Sequence, residues 1–216
     1  MPWTSNLARF VAVYAMLYAA FGIMSPFLPE FLRQRGLTAT EIGAVIALGT
    51  VARLMTGPIA GRFADQYRSW RGVLFGCTVG AGLAALLYLP GAGFGWLLAV
   101  ALIQAAALAP LPPLADAMAV SASRNQASRF EYGWVRGSGS AAFIVGLLAA
   151  GQLAGRLGTD VVIWGNAILL GFSAIFVRAL PNIAVATDAD KGKPHPGAIR
   201  TLLRTGRVDT RQPCIA

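Results

Sequence analysis

The sequence predicts an all-α integral membrane protein with six transmembrane helices, on three observations. Of its 216 residues, 56% are hydrophobic and only 12% are charged, whereas a soluble domain carries about 25% charged residues. Apolar runs of about 20 residues, the length that crosses a bilayer, occur six times. Lys and Arg lie mainly in alternate loops between these runs. The composition therefore excludes an ordinary soluble enzyme and a disordered chain, and two cysteines do not make a disulfide scaffold.

Each predicted helix is an apolar run bounded by charged or turn-forming residues. We expect the six helices at about residues 7–31, 39–64, 72–89, 95–120, 134–157 and 159–180. Thr38 and Glu41 form a capping box, in which each side chain satisfies a free backbone N–H group, so the second helix begins there. Pro90 and Gly91 end the third helix.

The distribution of basic residues predicts the orientation. With the N-terminus in the cytoplasm, 14 of the 18 Lys and Arg residues lie inside, three lie outside and Arg53 lies within a span. This positive-inside bias predicts that both termini are cytoplasmic in a bacterial-type inner membrane. The net charge of +9 does not indicate nucleic-acid binding, because the basic residues lie between apolar runs and do not line one element. The expected partner is the lipid bilayer.

Prolines near the ends of two spans indicate an internal repeat. Pro26 and Pro29 in the first span correspond to a cluster at 110–113 in the fourth, and proline inside a helix removes a hydrogen bond and kinks it. Kinked helices at matching positions are typical of transporters built from repeats. We therefore predict two three-helix repeats, forming a bundle over residues 1–183. Residues 184–216 are expected to be a basic cytoplasmic linker and tail, with an aberrant C-terminus.

Small residues indicate where helices approach one another. Gly-x-x-x-Gly pairs occur in the second, third and fifth spans, at Gly57 and Gly61, Gly76 and Gly80, and Gly151 and Gly155. Such pairs allow close helix packing, and packing alone is a sufficient explanation for them.

Charged and polar residues within the spans are the candidates for function, because they are costly in a bilayer. These are Arg53 and Gln104, together with Asp116 late in the fourth span and Arg136 early in the fifth. The last two lie at the same depth, so a bidentate pair is expected. Such a pair either ties two helices together or contributes to a substrate site. The sole histidine, His195, lies in the linker, so we expect no metal site, no cofactor and no enzymatic activity.

Two motifs resemble the major facilitator superfamily. The segment from Gly61 to Asp65, followed by Arg68 and Arg71, resembles the loop between that superfamily's second and third helices. Residues 113–117 and 130–140, with Tyr-Gly-x-x-Arg-x-x-Gly-Ser, resemble its lactose-permease and phenylpropionate-permease branch. The resemblance implies one half of a proton symporter that has two six-helix halves around a central cavity. It also implies a gating role for Gly61, Asp65, Arg68 and Arg71.

The resemblance also implies a substrate site. Asp116 and Arg136 fall where the family keeps a substrate-contacting acid and arginine, and Phe143 falls where an aromatic ring stacks on sugar. Ser140, at the end of the selective motif, is included with them. Phe in place of Trp and Asp in place of Glu disfavour a sugar, so an aromatic acid such as phenylpropionate is the favoured substrate.

These expectations combine into one function and two alternatives. The first is a proton-coupled symporter of a small organic molecule, truncated to its N-terminal half, with a second half as partner. An alternative is a six-helix protein that forms a homodimer to complete a transporter. The other is a membrane remnant that transports nothing. Six further spans encoded downstream in another frame would favour truncation.

Overall fold

The computed structural model of the chain describes residues 2–66, 69–124 and 131–180, all of which lie in one compact unit. The tail expected at 184–216 lies outside the described residues. Within them the chain forms eight α-helices and no strand: α1 Pro2–Met24, α2 Leu28–Gln34, α3 Ala39–Gln66, α4 Trp70–Leu86, α5 Phe94–Leu108, α6 Leu111–Arg124, α7 Tyr132–Leu157 and α8 Asp160–Arg178.

These helices account for the six predicted spans. Five segments are long and apolar enough to cross a membrane, with α5 and α6 together forming one of 30 residues, and α4 is a shorter apolar helix. The first and fourth predicted spans are each divided into two helices. The all-helical architecture of a multi-pass membrane protein is thus confirmed, and eight helices replace six because two spans are interrupted.

Both interruptions lie at the prolines. α1 ends at Met24 and α2 begins at Leu28, so Pro26 lies in the gap. α5 ends at Leu108 and α6 begins at Leu111, so Pro110 lies in the second gap. Proline has no backbone N–H group to donate to the preceding turn, and this is why the kinks expected from the sequence are full breaks.

The two three-helix repeats pack against each other in one repeated pattern. α1 packs on α7 and α8, and α5 packs on α3 and α4. The first span of each repeat thus lies against the second and third spans of the other repeat. α4 and α8, the third spans, also pack on each other. The symmetry inferred from the prolines is therefore a symmetry of helix packing.

The backbones of α1 and α7 approach each other closely at two glycines. A Cβ atom added at Gly146 would lie 2.5 Å from the Ala19 carbonyl oxygen, and one at Gly22 would meet the Phe143 backbone. The glycines of the three Gly-x-x-x-Gly pairs make no such close contact. Gly151 has one ordinary contact, and the other five have no atom within 4 Å of an added Cβ. Close packing was predicted at the wrong glycines, because spacing alone does not show which helix face meets a neighbour.

Side chains hold the end of the bundle at which α2 ends and α3, α5 and α8 begin. The predicted capping box is confirmed, since the Thr38 N–H donates to Glu41 Oε2 at 2.8 Å and α3 begins at the next residue. Arg35 Nη1 donates to the Leu89 carbonyl at 2.8 Å, and Arg35 Nη2 lies 2.9 Å from Asp160 Oδ1. Arg35 therefore connects the residues after α2 to the α4–α5 turn and to the start of α8.

Two helices contribute little to the interior. In the most apolar stretch of α3 and of α7, only 11% of the residues are buried, whereas 39% are buried in the corresponding stretches of α1 and α8. Large apolar side chains are exposed on both helices, among them Leu54 and Trp134. Because α3 and α7 are the second spans of their repeats, the bundle presents equivalent apolar faces on two sides.

Candidate functional site

A cavity of about 440 Å³ lies within the bundle, a size typical of small-molecule sites. Ser25 and Pro29 line it from the first helix break, and Leu108 and Pro112 line it from the second. Interrupted helices are tolerated in membranes where they line cavities, because irregular backbone there need not face lipid. The prolines thus position both repeats around one cavity.

Polar side chains that line the cavity include an arginine, a glutamine and a buried tyrosine. Arg53 comes from the middle of α3, Gln104 from α5, and Tyr88 from the turn after α4. Gln104 Nε2 donates to Asn166 Oδ1 at 3.2 Å, and Asn166 Nδ2 donates to the Ala20 carbonyl at 2.9 Å. This buried chain of hydrogen bonds fixes Gln104 between α1, α5 and α8.

Arg53 and Tyr88 have no such partners. Among the described residues, Arg53 has no hydrogen bond or ion pair, and the buried Tyr88 hydroxyl has no hydrogen-bond partner. No Asp or Glu lines the cavity in the described part of the chain. Tyr88 was missed by sequence reasoning, since a tyrosine before a Pro-Gly turn carries no signal of function. Over residues 2–66, 69–124 and 131–180, His, Cys, Asp and Glu form no group able to hold a metal ion.

The remaining wall is apolar and aromatic. Tyr18, Phe21 and Met24 line it from α1, and Phe143 lines it from α7. Phe143 is the one predicted substrate-contacting residue that borders this cavity. Ser140 is exposed, and its hydroxyl lies 3.4 Å from the Arg136 carbonyl oxygen of the preceding turn. A polar group bound beside Arg53 would therefore leave an aromatic surface for the rest of a ligand.

Asp116 lies beside the cavity in a cluster of tyrosines. Its Oδ1 atom accepts hydrogen bonds from the Tyr14 hydroxyl at 2.6 Å and from the Tyr132 hydroxyl at 2.9 Å. Tyr14 is fully buried in α1, and Tyr132 begins α7. One carboxylate oxygen on α6 thus joins three helices, which accounts for an acidic residue within a span.

Arg136 contacts an aromatic ring. Its guanidinium lies 4.8 Å from the centroid of Tyr18, and the Tyr18 and Tyr14 rings stack at 5.7 Å. The ion pairs within 4.0 Å among the described residues are Arg33–Glu30 and Arg35–Asp160, so the structure lacks the direct contact expected between Arg136 and Asp116. The two charges are connected through Tyr18 and Tyr14 instead. Their role in substrate binding stays a prediction.

The residues of the loop motif are only partly described. Gly61 lies near the end of α3 in open surroundings, whereas the Asp65 side chain and Arg68 lie outside the described residues. Arg71 Nη1 donates to the Leu180 carbonyl at 3.0 Å. Arg71 therefore holds the start of α4 against the end of α8, and the gating role of the motif stays a prediction.

Comparison with known proteins places this architecture among membrane transporters. The chain is 25% identical over 173 residues to the maltose permease of Geobacillus stearothermophilus, covering 80% of this chain and 43% of that protein. It is 34% identical over 143 residues to the probable 3-phenylpropionic acid transporter of Escherichia coli K12, covering 65% and 36%. It is 27% identical over 153 residues to the uncharacterized transporter YwbF of Bacillus subtilis 168, covering 70% and 38%. The chain thus spans less than half the length of each of these relatives.

A family match covers much more of the chain. The sequence matches the MFS_1 like family over residues 7–201, a region that contains both broken spans, the cavity and the tyrosine cluster. The resemblance drawn from the motifs around Arg71 and Arg136 is therefore confirmed at the level of the superfamily. The chain belongs to the MFS_1 like family of the major facilitator superfamily.

Proposed function

We propose that the chain forms the N-terminal half of a secondary-active transporter that moves a small organic molecule across the inner membrane by proton symport. The observation that carries this proposal is the cavity, which both broken spans line and which Arg53, Tyr88 and Gln104 make locally polar. Broken helices around a polar cavity, placed symmetrically in two repeats, are the arrangement on which alternating access is built.

The favoured substrate is an aromatic acid. Phe21 and Phe143 offer aromatic surface to a ring, and Arg53 offers a positive charge to a carboxylate. The relative in Escherichia coli named as a probable 3-phenylpropionic acid transporter supports this substrate class. Because another relative is named as a maltose permease, a sugar is the alternative substrate. A phenyl group fits an aromatic wall better than a sugar's hydroxyl groups do, because those hydroxyls need several polar partners.

Proton coupling is assigned to the second half of the transporter. The resemblance to the permease branch places the family's proton-coupling residues there. In this half Asp116 accepts hydrogen bonds from Tyr14 and Tyr132. We therefore propose that Asp116 holds α1, α6 and α7 together beside the substrate. Both termini are proposed to be cytoplasmic, in agreement with the Lys and Arg distribution.

A homodimer is the second candidate. The observation that favours it is the pair of exposed apolar faces on α3 and α7, which occupy equivalent positions in the two repeats. A second copy packed on these faces would enclose the cavity from the other side. In this version each copy supplies its own Arg53.

Uptake measurements test both candidates. The chain is reconstituted into liposomes under an inward proton gradient, alone and co-purified with the second half of the phenylpropionic acid transporter. We expect accumulation of 3-phenylpropionate only with the added half, since alternating access needs two walls. Accumulation by the chain alone would establish the homodimer in place of the half-transporter. No accumulation in either preparation, with both halves shown to be folded and associated, would contradict transport of aromatic acids.

A further inference from the structure

We propose that Arg53 and Tyr88 together form a carboxylate-binding site in the wall of the cavity, and that this pair selects an organic monoanion. The inference rests on the proposed transport function and names the groups that recognise the charged end of the substrate. It places that recognition on α3 and the α4–α5 turn, away from Arg136 on α7.

Tyr88 provides a donor that the protein leaves unused. Its side chain is 0% exposed, and its hydroxyl is buried with no partner in the described structure. The ring lies edge-on to Phe31, with centroids 5.9 Å apart, which fixes its position at the cavity. Buried hydroxyl groups are almost always hydrogen-bonded, so an unpaired one in a cavity wall indicates that a ligand supplies the acceptor.

Arg53 provides the charge. It lies in the middle of a membrane-spanning helix, lines the same cavity, and has no acidic partner among the described residues. An arginine within a span normally pairs with an acid or faces a cavity that carries its ligand. The planar guanidinium matches a carboxylate, to which it can donate two parallel hydrogen bonds.

The two donors, the Arg53 guanidinium and the Tyr88 hydroxyl, belong to residues in the wall of one cavity. Arg53 comes from α3 and Tyr88 from the turn after α4, and both line this cavity. A carboxylate has two oxygens, so one can accept from the guanidinium while the other accepts from the phenol. Phe21, Met24 and Phe143 line the same cavity and suit the apolar body of such an anion. The expected ligand is therefore a small carboxylic acid with one apolar end.

Calorimetric titration of the purified full chain in detergent micelles tests this site. The probes are 3-phenylpropionate, its neutral amide 3-phenylpropanamide, and inorganic phosphate. We expect the wild-type chain to bind the acid about tenfold or more tightly than the amide, because a charge-assisted bond is lost with the amide. Phosphate lacks an apolar end and should bind more weakly than the acid.

Two substitutions and a matched control distinguish the contribution of the Arg53 charge from that of the Tyr88 hydroxyl. Arg53→Gln should weaken binding of the acid about tenfold or more and leave amide binding within about twofold. Tyr88→Phe should weaken acid binding less, and it should keep or raise the melting temperature because it removes an unpaired buried hydroxyl. Arg62→Gln removes an exposed arginine of the same helix that does not line the cavity, and should change neither affinity.

Folding is followed by thermal unfolding of each variant, and Arg53→Lys keeps the charge should the Gln variant not fold. Retained acid preference in Arg53→Gln, or equal binding of acid and amide by the wild type, would overturn the site and leave the transport proposal standing. Equal binding of phosphate and acid would overturn the carboxylate assignment. No binding of either phenyl probe would overturn the site in this chain, whereas uptake with the added half tests transport separately.

Discussion

The Tyr14 hydroxyl donates a 2.6 Å hydrogen bond to Asp116 Oδ1 across 102 residues of sequence, and it joins α1 to α6. The depth of the two charges in their spans suggested that Asp116 would meet Arg136. The tyrosines lie between them, because Tyr14 and Tyr18 are four residues apart and therefore share one face of α1. A half-buried carboxylate is thus held by two phenol donors, and Arg136 contacts the π face of the Tyr18 ring.

The first prediction concerns this hydrogen bond. Tyr14→Phe should lower the free energy of unfolding by about 1.5–3 kcal/mol, the range for a hydrogen bond to a charged group. A double-mutant cycle with Asp116→Asn, measured by denaturant titration in mixed micelles, should show clear coupling. The same cycle between Asp116→Asn and Arg136→Gln should show weaker coupling, since those side chains do not touch. Strong coupling in the second cycle alone would contradict the arrangement.

The second prediction concerns helix approach. Gly146→Ala should destabilise the bundle by about 1–3 kcal/mol, because the new methyl group would lie 2.5 Å from the Ala19 carbonyl oxygen. Gly155→Ala is the matched control in the same helix. It has open space at the Cβ position, and we expect a neutral or stabilising effect of about 0.5–1 kcal/mol. Melting temperatures of the two variants check the difference, and equal shifts would show that α1 and α7 are not in close contact.

The third prediction compares two arginines near the end of α2. Arg35→Gln removes donors to the Leu89 and Gly91 carbonyls and the ion pair with Asp160, and should cost about 1–3 kcal/mol of stability. Within the described part of the chain, Arg33 pairs with exposed Glu30 alone, and the Arg33 side chain is 67% exposed. Arg33→Gln should therefore change stability much less than Arg35→Gln does, because solvent screens a surface ion pair. Chemical unfolding of the purified variants measures both, and the reverse ranking would count against the Arg35 contacts.

The fourth prediction concerns membrane topology. Reporter fusions after Gly36, Gly91 and Gly158 should report the outer side, because few Lys or Arg residues lie in those loops. Fusions after Arg71 and Ala189 should report the cytoplasm, as should one after Arg124. Alkaline phosphatase and green fluorescent protein fusions give opposite signals on the two sides and so control for expression. An outer location for the fusion after Ala189 would contradict the six-span arrangement.

The sequence predicts much of the fold because its strongest signals are local. Apolar run length gives the spans, Thr38 and Glu41 give the start of α3, and Pro26 and Pro110 give both breaks. Rotation of a helix about its own axis is not local, since nearly all positions in a membrane helix are apolar whichever way they face. The Gly-x-x-x-Gly pairs were for this reason poor guides to close contact.

The candidate site is harder to predict for the same reason. Arg53 and Gln104 are conspicuous in sequence because polar residues in spans are costly. Tyr88 is not, because tyrosines are common near span ends and only its burial without a partner distinguishes it. Which charge faces the cavity depends on helix rotation, and this is why Arg53, and not Arg136, borders it.

The cross-packing of the repeats determines when the bundle can close during synthesis. α1 leaves the ribosome before α7 and α8, the two helices on which it packs. The Asn166 side chain reaches the Ala20 carbonyl across 146 residues. α1 therefore resides in the bilayer without α7 until the fifth span has been inserted, and without α8 until the sixth has been inserted. The early helices must therefore be apolar enough to persist in lipid before these contacts form.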